Sequence, residues 1–141
     1  MEGSRSPVTI TACGTESPEQ AAMRNVMTLA FLGDAVQTLY VRLALMQGNN
    51  CRAKDLHSGT ADAVNAQCQA RAFERLLPQF TDSERGVAMR ARNAKGGQPA
   101  KNASVVDYRK ATGLEAVLGY LYLSGQTQRL NQLLEQTLTE K

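Results

Sequence analysis

The 141-residue sequence has no tryptophan, only three phenylalanines and four tyrosines, a single histidine and three cysteines. Because so few aromatic residues are present and the apolar residues are mainly Ala, Leu and Val, the composition favours helices over sheets. The cysteines are odd in number and form no CxxC pair, which argues against a disulfide framework or a zinc site. One histidine excludes a metal site built from several histidines.

Long apolar segments and targeting signals are also missing. No uncharged apolar run approaches the roughly 18 residues that a membrane span needs. The first twenty residues contain acidic side chains and no long apolar core, so they do not resemble a secretory signal. We therefore expect a soluble, reduced protein located in the cytoplasm.

The chain is long enough for one domain with one hydrophobic core. Residues 1–16 are rich in Ser, Thr, Gly and Pro and show no periodicity, which predicts a flexible leader. Residues 17–141 form one domain, predicted to be all-α with about five helices. Capping boxes at Ser17 and Thr81 predict two helix starts, and Pro78 and Gly125 predict two helix ends.

Two acids stand alone in apolar helices. Asp34 shares the segment 26–46 with a single other charged residue, Arg42, and Glu115 is the only charged residue between positions 111 and 128. Small residues flank both acids, so the two helices can approach closely and bring the carboxylates together. Two buried carboxylates would repel each other unless a cation lay between them, which predicts a site for a hard divalent ion such as Mg²⁺.

Structural roles are the alternative for each acid. Asp34 would then cap a second helix, with Gln37 completing a capping box. Glu115 would pair with Arg42, Arg109 or another base, as buried charges usually do.

A basic segment runs from residue 85 to residue 110. It carries seven basic residues and one acid, Asp107, although the whole chain has a net charge of only +3. The positive charge therefore surrounds a loop rich in Gly, Pro and Asn, a pattern that suits a nucleic-acid backbone; a solvated loop without a ligand is the alternative. Because aromatic residues are scarce here, a duplex contacted through its phosphates fits better than a single strand held by stacking.

The segment FLGDAV resembles the signature helix of the ribonuclease III family, and TGLEAVLGYLYL resembles that family's later acidic helix. Two further acids of the family pattern are replaced here by Ala30 and Thr112. Together with the loop RNAKGGQPAKN and the short chain, for which we expect no double-stranded-RNA-binding domain, these replacements point to the Mini-III branch. The resemblance covers about residues 18–138.

The resemblance implies an Mg²⁺-dependent endoribonuclease that cleaves double-stranded RNA as a helical homodimer and leaves 5′-phosphate and 3′-hydroxyl ends. It assigns metal binding and catalysis to Asp34 and Glu115, the dimer interface to Phe31, and substrate choice to the loop at about 93–103. Ordinary core packing is the alternative for Phe31. The branch is associated with maturation of 23S ribosomal RNA, so a precursor stem and a ribosomal protein that presents it are the expected partners.

The basic side chains expected to contact RNA are Arg90, Arg92, Lys95, Lys101, Arg109 and Lys110. Two rival functions stay open at this point: a non-catalytic scaffold of the same fold that binds structured RNA, and a helical DNA-binding regulator. The regulator needs an exposed basic recognition helix, whereas the bases here cluster around a loop. The scaffold offers no reason to keep both acids.

Overall fold

The structure, a computed structural model, describes residues 8–47, 65–94 and 104–138. Within these ranges the secondary structure is helical and includes no strand, which confirms the all-α prediction. The α-helices in chain order are α1 (Pro18–Ala22), α2 (Val26–Met46), α3 (Ala66–Leu76), α4 (Asp82–Asn93), α5 (Val105–Leu123) and α6 (Thr127–Leu138), with a 3-10 turn at Leu77–Gln79 after α3.

Both predicted capping boxes are present. The Ser17 hydroxyl oxygen accepts from the Gln20 N–H at 3.1 Å, and the Gln20 side-chain oxygen accepts from the Ser17 N–H at the same distance. Thr81 and Glu84 make the equivalent pair of bonds at 3.2 and 3.0 Å. Because the boxes satisfy backbone N–H groups that have no partner within the helix, they fix the starts of α1 and α4.

The predicted helix ends are also confirmed. α3 ends at Leu76, two residues before Pro78. α5 ends before Gly125, which adopts the left-handed conformation with φ of +72°, and the following Gln126 N–H donates to the Leu121 carbonyl at 3.0 Å. The positive φ explains why glycine occupies this turn.

Helix α5 is the centre of the fold and contacts each of the other described α-helices. Ten of the eleven residues between Ala111 and Leu121 are buried, and Glu115 is the exception. A helix that is apolar on almost every side needs neighbours on every side, and α5 has them.

The closest packing in the described chain is between α2 and α5. A Cβ atom on Gly33 would overlap the backbone carbonyl of Glu115 and lie 2.9 Å from the Gly119 nitrogen. A Cβ on Gly119 would overlap the Leu29 carbonyl. Only glycine allows the two backbones to come this close, so these two residues set the distance between the helices.

Helix α2 is less buried than its composition predicts. An all-apolar helix was expected to be covered on every side, but one face of α2 is exposed in this chain, and its large apolar side chains are Phe31, Leu39, Leu43 and Met46. Because apolar residues occur on every side of α2, the sequence pattern could not show which face packs on the core of this chain. The length and composition of α2 would also suit a membrane span, but this is weak evidence because core helices have the same properties.

Residues 8–16, which were expected to belong to a flexible leader, instead lie along α5 and α6. The Ile10 side chain is buried, and its backbone N–H and C=O bond the Asn131 side chain at 2.8 and 2.7 Å. The Ala12 N–H donates to the Thr127 hydroxyl at 2.9 Å. The leader prediction is therefore wrong for this segment, because side chains on α6 satisfy its backbone groups; residues 1–7 lie outside the described ranges.

We expect Gly33→Ala and Gly119→Ala each to lower the free energy of unfolding by about 3 kcal/mol or more, because the new methyl group would push the α2 and α5 backbones apart. Gly86→Ala is the matched control. It lies within α4 with open space where a Cβ would be, so it should stabilise the protein by up to about 1 kcal/mol. Urea unfolding of the three variants measures the difference, and equal effects at all three positions would contradict the close packing of α2 on α5.

Candidate active site

The packing of α2 on α5 brings Asp34 and Glu115 together. Asp34 follows Gly33, the residue that lies against the backbone of Glu115, and the Asp34 carboxyl group lies close enough to raise the pKa of Glu115. The sequence prediction that small residues would let these two segments face each other is confirmed. Two acids from distant parts of the chain thus form one site.

The two acids differ in burial. Glu115 is partly buried, but Asp34 is exposed, so the prediction of two buried carboxylates is wrong for Asp34. The reason is its position at the edge of the contact: Gly33 points into α5, whereas the neighbouring Asp34 and Ala35 lie on the uncovered side of α2. One carboxylate is therefore open to a ligand from solution while its partner is held inside the protein.

The structural alternatives for these acids do not hold in the described residues. Asp34 lies in the interior of α2, which begins at Val26 after the cap residue Asn25, so it caps no helix. Glu115 accepts from the Gln69 amide and lies beside Asp34, and no base within the described ranges pairs with it.

The electrostatics of the pair favour a bound proton when no cation is present. Burial, the neighbouring charge of Asp34 and the hydrogen bond with Asp34 together raise the pKa of Glu115 to about 8, against an ordinary value of 4.5. The Gln69 amide acts in the opposite direction. Near neutral pH and without a cation, Glu115 therefore favours its protonated form.

Two glutamines complete the site and were not identified as site residues from the sequence. Gln69 Nε2 donates to Glu115 Oε2 at 3.1 Å and to Gln37 Oε1 at 2.5 Å. Gln37 was considered only as part of a cap for Asp34; it is instead 2% exposed, and Gln69 is 4% exposed. The signal that could have identified them was an amide side chain on an apolar helix face, because a buried amide needs hydrogen-bond partners.

The two positions where the family pattern has further acids offer no carboxylate here. Ala30 is buried, and the Thr112 hydroxyl donates to the Tyr108 carbonyl of its own helix at 2.9 Å. Within the described part of the chain, no group of three or more His, Cys, Asp or Glu side chains is arranged to hold a metal ion. A cation at this site would therefore need ligands other than the described His, Cys, Asp and Glu side chains for most of its coordination.

Three of the six basic residues expected to contact RNA lie together. Arg92, Arg109 and Lys110 line a cavity of about 150 Å³ between the end of α4 and the start of α5. The buried Nε of Arg92 has no hydrogen-bond partner among the described residues, whereas Lys110 forms an ion pair with Glu74. Lys110 precedes Glu115 by five residues on α5, about 7.5 Å along the helix axis.

The other expected contact residues are placed differently. Arg90 turns toward α1, where its guanidinium donates to the Ala22 carbonyl at 2.6 Å. Lys95 and Lys101 lie outside the described residues. Phe31 is 81% exposed, which rules out core packing within this chain and leaves the side chain available to a partner.

Comparison with known proteins agrees with this fold. The family model for the ribonuclease III domain matches residues 27–126, which include both acids. The Mini-ribonuclease 3 of Brevibacillus brevis is 41% identical over 114 residues, covering 81% of this chain and 85% of the relative. The Mini-ribonuclease 3 of Staphylococcus aureus is 41% identical over 117 residues, covering 82% and 87%.

A crystal structure of a Fusobacterium nucleatum protein shares the fold, with a TM-score of 0.74 and 24% identity over 85% of this chain and 94% of that one. The matched domain, the curated relatives and the shared fold lead to one assignment. The chain belongs to the ribonuclease III family of endoribonucleases, in its Mini-ribonuclease 3 branch.

Proposed function

We propose that the protein cleaves double-stranded RNA by hydrolysis that depends on Mg²⁺, with Asp34 and Glu115 as the catalytic metal-binding residues. The observation that carries this proposal is the meeting of the two carboxyl groups across the close contact of α2 and α5. An endoribonuclease of this family needs a place for a cation beside the RNA backbone. This pair of acids meets that need with one exposed and one anchored carboxylate.

The residues present fit Mg²⁺. Carboxylate oxygens are hard ligands, and Mg²⁺ commonly takes one or two of them while it keeps several waters and binds substrate phosphates. The exposure of Asp34 leaves space for those other ligands. A cation would also remove the repulsion that otherwise keeps a proton on the pair.

The chemistry divides between the ion and the chain. Bound Mg²⁺ would lower the pKa of the attacking water and neutralise charge on the phosphoryl oxygen. Glu115 and Asp34 would hold the ion, since both side chains come from the rigid contact of α2 with α5. Cleavage of the bond to the 3′ oxygen leaves a 5′-phosphate and a 3′-hydroxyl.

The basic cavity supplies a second contact for the duplex. Arg92 has a buried donor there that finds no partner among the described residues, and Arg109 is exposed beside it. Charged donors of this kind bind phosphates and fix the register of a duplex without reading its sequence. With Glu115 farther along α5, one helix presents both the phosphate contact and the catalytic carboxylate.

The exposed apolar face of α2 supports a homodimer. Phe31, Leu39 and Met46 are exposed on this helix, and an apolar face of this kind on one chain suits burial against a partner. A second copy would place two sites together, one for each strand of a duplex. This is the arrangement that the family resemblance implies.

The resemblance to the Mini-III branch supports a precursor of 23S ribosomal RNA as the substrate, processed in the cytoplasm. A ribosomal protein that presents the precursor stem belongs to the same proposal. The basic cavity supports a duplex substrate of this kind, since an A-form helix is recognised by its shape and phosphates.

Asp34→Asn and Glu115→Gln should each abolish Mg²⁺-dependent cleavage of a labelled 23S precursor stem while RNA binding in EDTA stays within about twofold, because the RNA is held largely by basic residues elsewhere. Asp82→Asn, an exposed acid in the first turn of α4, is the matched control and should cleave normally. End analysis should find 5′-phosphates. Tight binding without cleavage by the wild-type protein would favour a scaffold, and unfolding of both site variants would favour a structural role for the acids.

Without metal, folding stability should fall as the pH rises from about 4.5 to about 8. The pKa of Glu115 is raised on folding, so the stabilising contribution is complete below the unfolded value of 4.5 and is lost as the pH passes the folded value of about 8. In EDTA, the Tm of the wild type relative to Glu115→Gln should therefore drop progressively across this window. Excess Mg²⁺ should restore the wild-type Tm at pH 8; parallel pH curves for the two proteins in EDTA would contradict the raised pKa.

Phe31→Ser should shift the protein from dimer to monomer and lower cleavage, because it removes the most exposed aromatic side chain from the apolar face of α2. Since the side chain lies outside the core of the chain, the far-ultraviolet circular dichroism spectrum should not change. Sedimentation equilibrium measures the oligomeric state. A wild-type monomer that cleaves RNA at full rate would overturn the dimer but leave the metal site unaffected.

A further inference from the structure

The amide of Gln69 lies between a buried anchor and the catalytic carboxylate. One of its donations is to Gln37 Oε1 and the other to Glu115 Oε2, at 2.5 and 3.1 Å. The three residues come from α3, α2 and α5, so the contact joins three helices. An amide nitrogen has two hydrogens, and both are used here.

The Gln69 amide is the hydrogen-bond donor that α3 places on the Glu115 carboxyl group. A carboxylate oxygen that accepts one amide hydrogen keeps further lone pairs for another ligand. Asp34, the other neighbour of Glu115, is exposed and is therefore not fixed by burial. Gln69 is thus the contact that fixes the Glu115 carboxyl group from within the protein.

Gln69 itself is fixed. It is buried, and Gln37, which accepts its other hydrogen, is also buried. A side chain held in this way cannot turn its amide oxygen toward the carboxylate without losing the bond to Gln37. The donor therefore points at Glu115 before any ion arrives.

We infer that Gln69, held by Gln37, is a positioning residue that orients Glu115 for the divalent cation. This inference rests on the proposed function, because it requires that Asp34 and Glu115 bind the cation. Groups that donate to metal ligands from behind commonly set metal affinity by about 10- to 100-fold. The same range is expected here.

The test compares Gln69→Met with Gln67→Met, the same substitution two residues earlier on α3 at an exposed position. One readout is the rise in Tm with Mn²⁺ concentration in the absence of RNA, which reports cation binding without catalysis. The other is the Mg²⁺ concentration that gives half-maximal cleavage at saturating duplex. In Gln69→Met both midpoints should move to higher cation concentration by about 10-fold or more, whereas Gln67→Met should match the wild type.

Further variants separate the outcomes. Gln37→Met keeps the Gln69 amide but removes the side-chain oxygen that holds it. Both midpoints should therefore move in the same direction as in Gln69→Met, but by a smaller factor. In an Asp34→Asn background, Gln69→Met should cause no additional change in the Mn²⁺ response. If Gln69→Met does not fold, Gln37→Met provides the test with the same two readouts.

The inference is overturned if the folded variants lose thermal stability in EDTA yet keep wild-type Mn²⁺ and Mg²⁺ midpoints, which would make the glutamine pair purely structural. Failure of the proposed function would look different. In that case the wild type itself would show neither a Mn²⁺-dependent rise in Tm nor cleavage.

Discussion

The contact between Gly33 on α2 and Gly119 on α5 is the constraint on which the site depends. With a side chain at either position the helix backbones would be pushed apart, and the residues beside them would separate as well. Asp34 directly follows one glycine, and Glu115 lies one turn before the other. The same atoms that close the core therefore fix the distance between the two carboxyl groups.

This arrangement stabilises the fold through packing and destabilises it through charge. The core around α5 tolerates a partly buried acid whose pKa is raised to about 8, mainly by burial. The proposed cation would offset this cost by binding both carboxylates. Catalytic sites often contain perturbed groups of this kind, because the charge pattern that suits the ligand does not suit the empty protein.

Much of the fold was predictable because local rules determine it. The capping boxes at Ser17 and Thr81 and the turn at Gly125 depend on a few neighbouring residues, and each was read correctly from the sequence. The juxtaposition of Asp34 and Glu115 was also predictable, since isolated acids flanked by small residues indicate a close contact of helices.

The sequence could not show which features depend on distant contacts. Residues 8–16 look like a leader because their partners are polar groups on α6, such as Asn131, more than a hundred positions away. The exposure of Asp34 depends on which side of α2 meets α5, and an apolar helix without clear periodicity does not reveal that side. Gln69 is a site residue only because α3 places it beside Glu115.

Helix α2 has two roles, and its composition follows from them. One side carries Gly33 and Gln37 toward the core and the site, and the other exposes Phe31 and Leu39. An ordinary surface helix would have a mainly polar outer face, so the large apolar side chains on the outer face of α2 require a different explanation. A dimer formed through this face would fix both copies of Asp34 relative to each other through two rigid helices. The distance between the cuts in the two strands of a duplex would then be set by the packing of α2, without any residue that reads the RNA sequence.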